Sequence, residues 1–75
     1  MAEYTIDCLG EVCPVPLIKV QKQVEKCANG DVVIAQIDHS CAMKNIPEWA
    51  RNQGFNVEVE EVDEGEWEVV IEVSK

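Results

Sequence analysis

The segment Cys13-Pro14-Val15-Pro16 stands between a short apolar stretch and a longer amphipathic one. Proline has a fixed φ and no backbone N–H, so Pro14 suits the first position of a helix and Cys13 the N-cap. A sulfur at that place faces unpaired N–H groups and the positive end of the helix dipole, which favour thiolate over thiol. Because the thiolate is the nucleophile, the segment predicts a reactive cysteine at a helix start, supported by Pro14 and Pro16.

Hydrophobic spacing predicts the other elements. A strand over residues 4–8 precedes a connection in which Gly10 is the flexible point. Apolar residues then recur at spacings of three and four, which predicts a helix, and the apolar run of residues 32–37 predicts a central strand. Alternation over residues 56–63 and 67–73 predicts two further strands, the first half-buried. The helix face consists of Leu17, Val20, Val24 and Cys27.

The segment Cys41 to Asn52 has helical spacing but contains Pro47. Two arrangements fit: a separate turn over residues 41–44 followed by a helix that Asn45 caps, or one kinked helix. We favour the first, because Pro47 then lies in a first turn. The element order β-α-β-α-β-β predicts an α/β (α+β) two-layer sandwich, with a four-stranded mixed sheet and two helices on one face. At 75 residues, the chain is expected to form one domain over residues 1–75.

The formal charge of −9, from 15 acidic and 6 basic residues, argues against direct nucleic-acid binding, which needs positive charge. The acidic run from Glu58 to Glu68 is expected to be the solvated face of a hairpin, and the alternative is a docking patch for a basic partner. No secretory signal and no apolar run of about 20 residues are present. We therefore expect a cytoplasmic protein with reduced thiols.

The four cysteines lack the paired spacing of structural zinc sites, so we expect no metal and no cofactor. Cys27 continues an apolar helix face and should be buried. Cys8 is either a resolving thiol for Cys13 or a side chain of the strand that never meets it. Cys41 should open the second helical segment, with an accessory role or none.

Two further kinds of side chain are candidates for an accessory role. His39 would form a nucleophilic pair with Cys13 if it reaches that thiol, and otherwise it is a solvated loop residue. Lys19, Lys22 or Lys44 would attract a small oxyanion if one of them lies beside Cys13.

Two motifs resemble those of a known family. Asp7-x-x-Gly10-x-x-Cys13-Pro14-x-Pro16-Leu17 resembles the signature of the TusA/SirA-like sulfur carriers. Asp38 and the segment Asn45-Ile46-Pro47-x-Trp49 resemble its second signature. The resemblance implies that Cys13 carries sulfane sulfur as a persulfide. Asp38 is a further candidate for an accessory role. A closer likeness is to the YeeD-like subgroup, whose members pair with YeeE-type thiosulfate permeases. It rests on the string Val12-Cys13-Pro14-x-Pro16-Leu17-Ile18, the segment Ile46-Pro47-x-Trp49-Ala50 and Trp67.

The leading hypothesis is therefore a cytoplasmic thiol protein that accepts sulfur at Cys13 from thiosulfate or a persulfide. Its partner would be a YeeE-like permease, which would bring it to the inner membrane. A second hypothesis is a relay for tRNA thiolation or cofactor assembly, supplied by a cysteine desulfurase. A third is an interaction domain without catalysis, in which the acidic hairpin is the working surface. Thiosulfate cleavage through Cys13 would make the protein sulfurtransferase-like.

Overall fold

The structure, a computed structural model, describes residues 2–11 and 15–74, and of Cys41 only the backbone. Six elements follow one another in this part of the chain, in the predicted order. They are β1 (Glu3–Asp7), α1 (Val15–Glu25), β2 (Val32–Ile37), α2 (Ser40–Asn52), β3 (Asn56–Asp63) and β4 (Glu66–Glu72).

The strands form one mixed sheet in the order β1-β2-β4-β3. β1 and β2 are parallel, whereas β4 is antiparallel to both β2 and β3. The apolar run of β2 therefore occupies a central position, as predicted. The sheet and the two helices make the predicted two-layer α/β sandwich.

The core lies between the helices and one face of the sheet. On β2 the buried residues alternate with partly exposed ones, as the two-residue period of a strand requires. Val20 and Val24 of α1 are buried, and Cys27, just beyond its end, is 5% exposed, so its predicted burial is confirmed. The fully buried sheet residues are Val33, Ala35, Ile37, Val69 and Ile71.

The preferred prediction for the second helix was wrong. α2 runs without interruption from Ser40 to Asn52 and contains Pro47 in its interior, where a helix loses one hydrogen bond. The reason is packing, since Ala42, Ile46 and Ala50 recur every four residues and all three are fully buried. Burial of such a face offsets the roughly 3 kcal/mol that an interior proline costs. Asn45 is consequently a mid-helix residue and not a cap.

The strand β3 is less buried than its alternating pattern predicts. Val57 is half-buried, but Val59 is 40% exposed and Val62 is 51% exposed. β3 is an edge strand with a register shift between Glu61 and Asp63. An edge strand has a neighbouring strand on one side only, and a β-bulge turns its side chains further toward solvent.

Candidate functional site

One end of the sandwich brings together two connections that the sequence separates. Parallel β1 and β2 finish at the same edge, with Asp7 opposite Gln36. The Cys8 N–H donates to the Gln36 carbonyl at 2.9 Å, which extends the pairing one residue beyond β1. The β1–α1 connection, which contains Cys13, therefore leaves the sheet beside the β2–α2 connection, which contains Asp38 and His39.

A hydrogen bond joins these two connections directly. The Gly10 N–H donates to Asp38 Oδ2 at 2.9 Å, across 28 positions of sequence. Gly10 has a φ of 79°, a conformation that other residues rarely adopt, so glycine suits this position. A second carboxylate acts within the connection, where Asp7 Oδ1 accepts from the Leu9 N–H at 3.0 Å. Residues 9 and 10 are thus fixed before the chain reaches Cys13.

An ion pair follows in the same connection. Lys19 Nζ of α1 lies 2.5 Å from Glu11 Oε1. The hydrogen bond to Glu11 is the main cause that raises the pKa of Lys19. Lys19 is therefore a paired cation, and its attraction for an oxyanion stays a prediction. Glu11 was not among the predicted site residues, because a spacing of eight follows no helical or strand rule.

The second oxygen of Glu11 has a different environment. Oε2 is buried and has no hydrogen-bond partner among the described residues. Glu11 precedes Cys13 by two positions in the sequence. The carboxylate is thus held at one oxygen by Lys19 and is buried at the other.

Cys8 lies in the core. Its exposed fraction is 0%, and burial raises the pKa of its thiol, while the charge of Lys19 acts in the opposite direction. A buried thiol with a raised pKa stays protonated at neutral pH and is a poor nucleophile. These properties favour the interpretation of Cys8 as a packing residue over that of a resolving thiol.

The helix α1 begins at Val15 as described, and Pro16 is buried in its first turn. A proline there loses nothing, because first-turn N–H groups have no acceptor within the helix. The predictions that Cys13 is the N-cap and that Pro14 is the first helical residue lie outside the described residues. Cys13 follows Glu11 and precedes Val15 by two positions each. It is therefore enclosed in sequence by a fixed connection and a helix start.

The start of α2 belongs to the same end of the molecule. The half-buried His39 accepts at its carbonyl from Ala42 N–H at 3.1 Å and Met43 N–H at 3.3 Å. Cys41 is in the first turn of α2, so the prediction that it opens the second helix is confirmed.

Lys44 lies elsewhere. It is exposed and borders a hollow of about 450 Å³ between α2 and Val59 of β3, the edge strand opposite β1. The structure thus places Lys19 at the β1–α1 connection but places Lys44 beside β3. The exposed Lys22, by contrast, is in the last turn of α1.

Over residues 2–11 and 15–74, no group of three or more His, Cys, Asp or Glu side chains is arranged to hold a metal ion. No helix in the described part of the chain is long and apolar enough to cross a membrane.

Comparison with known proteins identifies the family. Residues 4–73 match the family model described as "Sulfurtransferase TusA". The chain belongs to the TusA family. A protein of Thermotoga maritima named "Putative sulfur carrier protein" is 36% identical over 78 residues, which cover 97% of this chain and 99% of the relative. A Methanocaldococcus jannaschii relative with the same description is 33% identical and covers 95% of each chain.

A solved structure gives the same result. The crystal structure of a SirA-like protein from Desulfitobacterium hafniense superposes with a TM-score of 0.88 at 34% identity, covering 96% of this chain and 99% of that one. The resemblance of the two sequence motifs to the TusA/SirA-like carriers is therefore confirmed. As a member of the TusA family, the protein has a sulfur-carrier function.

Proposed function

We propose that Cys13 is the residue that carries the sulfur. Its thiolate attacks the outer sulfur of thiosulfate, an S–S bond forms, and sulfite leaves with the electron pair of the broken S–S bond. The product is a Cys13 persulfide, and the total charge is the same before and after the step. An acceptor thiolate then attacks the outer sulfur of the persulfide and regenerates the Cys13 thiolate.

The observation that carries the proposal is the Gly10–Asp38 hydrogen bond at the end of the sheet where the β1–α1 connection leaves β1. It fixes the chain three residues before Cys13, while α1 fixes it from Val15 onward. A nucleophile held between two fixed points loses less freedom when it reacts. The burial of Cys8 and Cys27 supports the assignment further, because it leaves both thiols without access to a donor.

The environment of the connection suits a thiolate that reacts with an anion. The positive end of the α1 dipole and the Val15 and Leu17 N–H groups belong to the first turn after Cys13. Lys19 adds a cation, which Glu11 holds in place. The proposed role of Glu11 is to position Lys19 and to moderate its charge.

Thiosulfate is the proposed donor, delivered by a YeeE-like permease at the cytoplasmic face of the inner membrane. The support is the likeness of residues 46–50 and of Trp67 to the YeeD-like subgroup. In this structure Ile46, Pro47 and Ala50 are buried, and the Trp49 ring meets Phe55 edge to face with centroids 5.9 Å apart. Ile46, Pro47 and Ala50 therefore pack from α2 into the core. A persulfide from a cysteine desulfurase would enter the same chemistry.

Intact mass spectrometry tests the proposal. Reduced protein is incubated with thiosulfate, or with cysteine and a cysteine desulfurase, and released sulfite is measured. We expect a gain of one sulfur in the wild type and in Cys8→Ala and Cys27→Ala, but none in Cys13→Ser. Loading that survives in Cys13→Ser and disappears in Cys41→Ser would overturn the assignment to Cys13. Loading by the desulfurase alone would overturn thiosulfate as donor and leave Cys13 as carrier.

A further inference from the structure

One face of the sheet has no helix over it in the described structure. Val33, Ala35 and Ile37 of β2 point to the core and are fully buried. Their neighbours Val32 and Ile34 point the other way and are partly exposed. Val70 of β4 lies directly opposite Ile34, so these three apolar residues form a continuous patch in the middle of this open face.

Carboxylates surround that patch. The register places Glu3 and Asp7 of β1, Glu58 and Glu60 of β3, and Glu68 and Glu72 of β4 on the same face. No lysine or arginine occurs in any of the four described strands, whereas α1 and α2 together carry four. The described molecule therefore has an acidic sheet layer and a helix layer that contains Lys19, Lys22, Lys44 and Arg51.

One contact on this face is unfavourable as it stands. Glu60 and Glu68 are direct cross-strand partners, and like charges at such positions destabilise a sheet. Solubility does not require two carboxylates in register, because a negative charge elsewhere on the surface would serve equally well. A cation placed between the two would turn this repulsion into attraction.

The same face contains a shallow hollow of about 140 Å³. Val32, Val70 and Asn56 line it together with Glu58 and Glu72. Apolar side chains with two carboxylates beside them match the lysine or arginine side chain, which has an aliphatic stem and a cationic head. The hollow is thus suited to one basic side chain of a partner.

We propose that the open face, defined by Val32, Ile34 and Val70 and the six surrounding carboxylates, is the docking surface for a partner protein that presents lysine or arginine around an apolar centre. Charge complementarity selects this occupant. The carboxylates repel the phosphates of nucleic acids and of anionic membranes, and they repel the open face of a second copy. The proposal does not depend on the sulfur chemistry, because Asp7 alone among these residues contacts the β1–α1 connection, and the variants below leave it unchanged.

Binding of a basic peptide to the full chain, followed by amide NMR, tests the proposal. The probe is a blocked peptide of arginine and leucine, and the control probe has glutamate in place of arginine. We expect shift changes centred on Val32, Ile34 and Val70, with affinity that falls steeply as salt increases. Changes confined to α1 and α2, or equal binding of the glutamate peptide, would overturn the proposal.

Matched charge reversals separate the surface from the net charge. The double variant Glu58→Lys with Glu72→Lys alters the hollow, whereas Glu61→Lys with Glu64→Lys alters the net charge equally from outside the face. We expect about tenfold weaker peptide binding in the first and less than about threefold in the second. Equal losses would show that attraction is nonspecific and would overturn the proposal. Ile34→Thr should weaken binding several-fold, since it removes apolar surface and keeps a β-branched side chain.

Two further measurements distinguish other occupants. Sulfur loading at Cys13 by thiosulfate should be unchanged in all these variants, so a failure of docking is separate from a failure of the carrier proposal. Sedimentation should show no self-association that depends on Glu58 and Glu72. Such self-association would assign the face to a second copy, and binding of anionic vesicles would assign it to a membrane; either result would overturn the proposal.

Discussion

Asp38 holds Gly10. The carboxylate after β2 accepts the backbone N–H of the connection after β1 at 2.9 Å. A hydrogen bond to a charged group contributes about 1.5–3 kcal/mol when it is well formed, and less when exposed to water, as this one is. Its main effect is local, because it ties the connection that leads to Cys13 to the rigid end of the sheet.

Asp38→Ala should slow sulfur loading more than it lowers stability. The variant frees the Gly10 N–H to water, so we expect a loss of about 1 kcal/mol in the free energy of unfolding. Loading should slow several-fold, because the connection before Cys13 loses its anchor. Urea unfolding and the rate of sulfite release measure the two effects. Asp38→Asn keeps an acceptor oxygen and should restore most of the rate; a rate as low as that of Asp38→Ala would show that charge, and not anchoring, matters.

Gly10→Ala should strain the same connection. Nothing lies within 4 Å of a Cβ at this position, so the penalty comes from the φ of 79° alone. We expect about 1–2 kcal/mol of destabilisation. Gly65→Ala is the matched control, since Gly65 has a φ of 76° and equally open surroundings in the β3–β4 turn. Both variants should unfold at lower urea concentration, but only Gly10→Ala should slow sulfur loading; equal loading rates would contradict the anchoring role.

The Glu11–Lys19 pair should tune the reaction with anionic donors. Glu11→Gln leaves Lys19 without its partner and should accelerate loading by thiosulfate, whereas Lys19→Gln should slow it. Stability should change little in each variant, because the pair is partly exposed. Initial rates at low and high salt measure the effect, which should diminish as salt screens the charge. Identical rates in both variants at low salt would exclude an electrostatic role for the pair.

Cys8 should make the fold less stable in alkali. Burial raises the pKa of this thiol above its ordinary value of 9.0, so the folded chain retains a proton that the unfolded chain releases. The folded state then binds more protons, and the free energy of unfolding falls as pH rises above about 9. Cys8→Ala should flatten this dependence between about pH 9 and pH 10, before Lys19 begins to lose its proton. Urea unfolding midpoints at each pH measure this dependence. If Cys8→Ala loses stability with pH as steeply as the wild type does, Cys8 is not its cause.

Periodic patterns made most of the fold predictable. Val69, Ile71 and Val73 alternate with less buried neighbours, and each is at most 1% exposed. Pro47 misled the prediction because proline weakens an isolated helix, while the buried neighbours Ile46 and Ala50 stabilise this one through contacts that the local sequence does not contain. The burial of Val59 was overestimated, because an alternating strand can occupy an edge as well as the centre of a sheet.

The site was predictable in its residues but not in its contacts. Gly10 and Asp38 were recognised separately, and their hydrogen bond depends on strand order, which brings distant segments together. Lys19 was recognised as a cation, but its partner Glu11 belongs to an irregular connection without periodicity. The burial of Cys8 follows from its place after β1, beside Gln36 of the neighbouring strand. Side-chain partners across loops therefore required the tertiary structure.

The edge strand β3 has a consequence for the behaviour of the protein at high concentration. It exposes Val59 and Val62 on a strand whose outer edge is unpaired, and such an edge is the usual starting point of edge-to-edge aggregation. Exposed carboxylates at Glu58, Glu60, Glu61 and Asp63 line the same strand. Two copies that approached edge to edge would bring these charges together, so the strand resists fibre growth at neutral pH. High salt, which screens the charges, would weaken this protection while leaving the valines exposed.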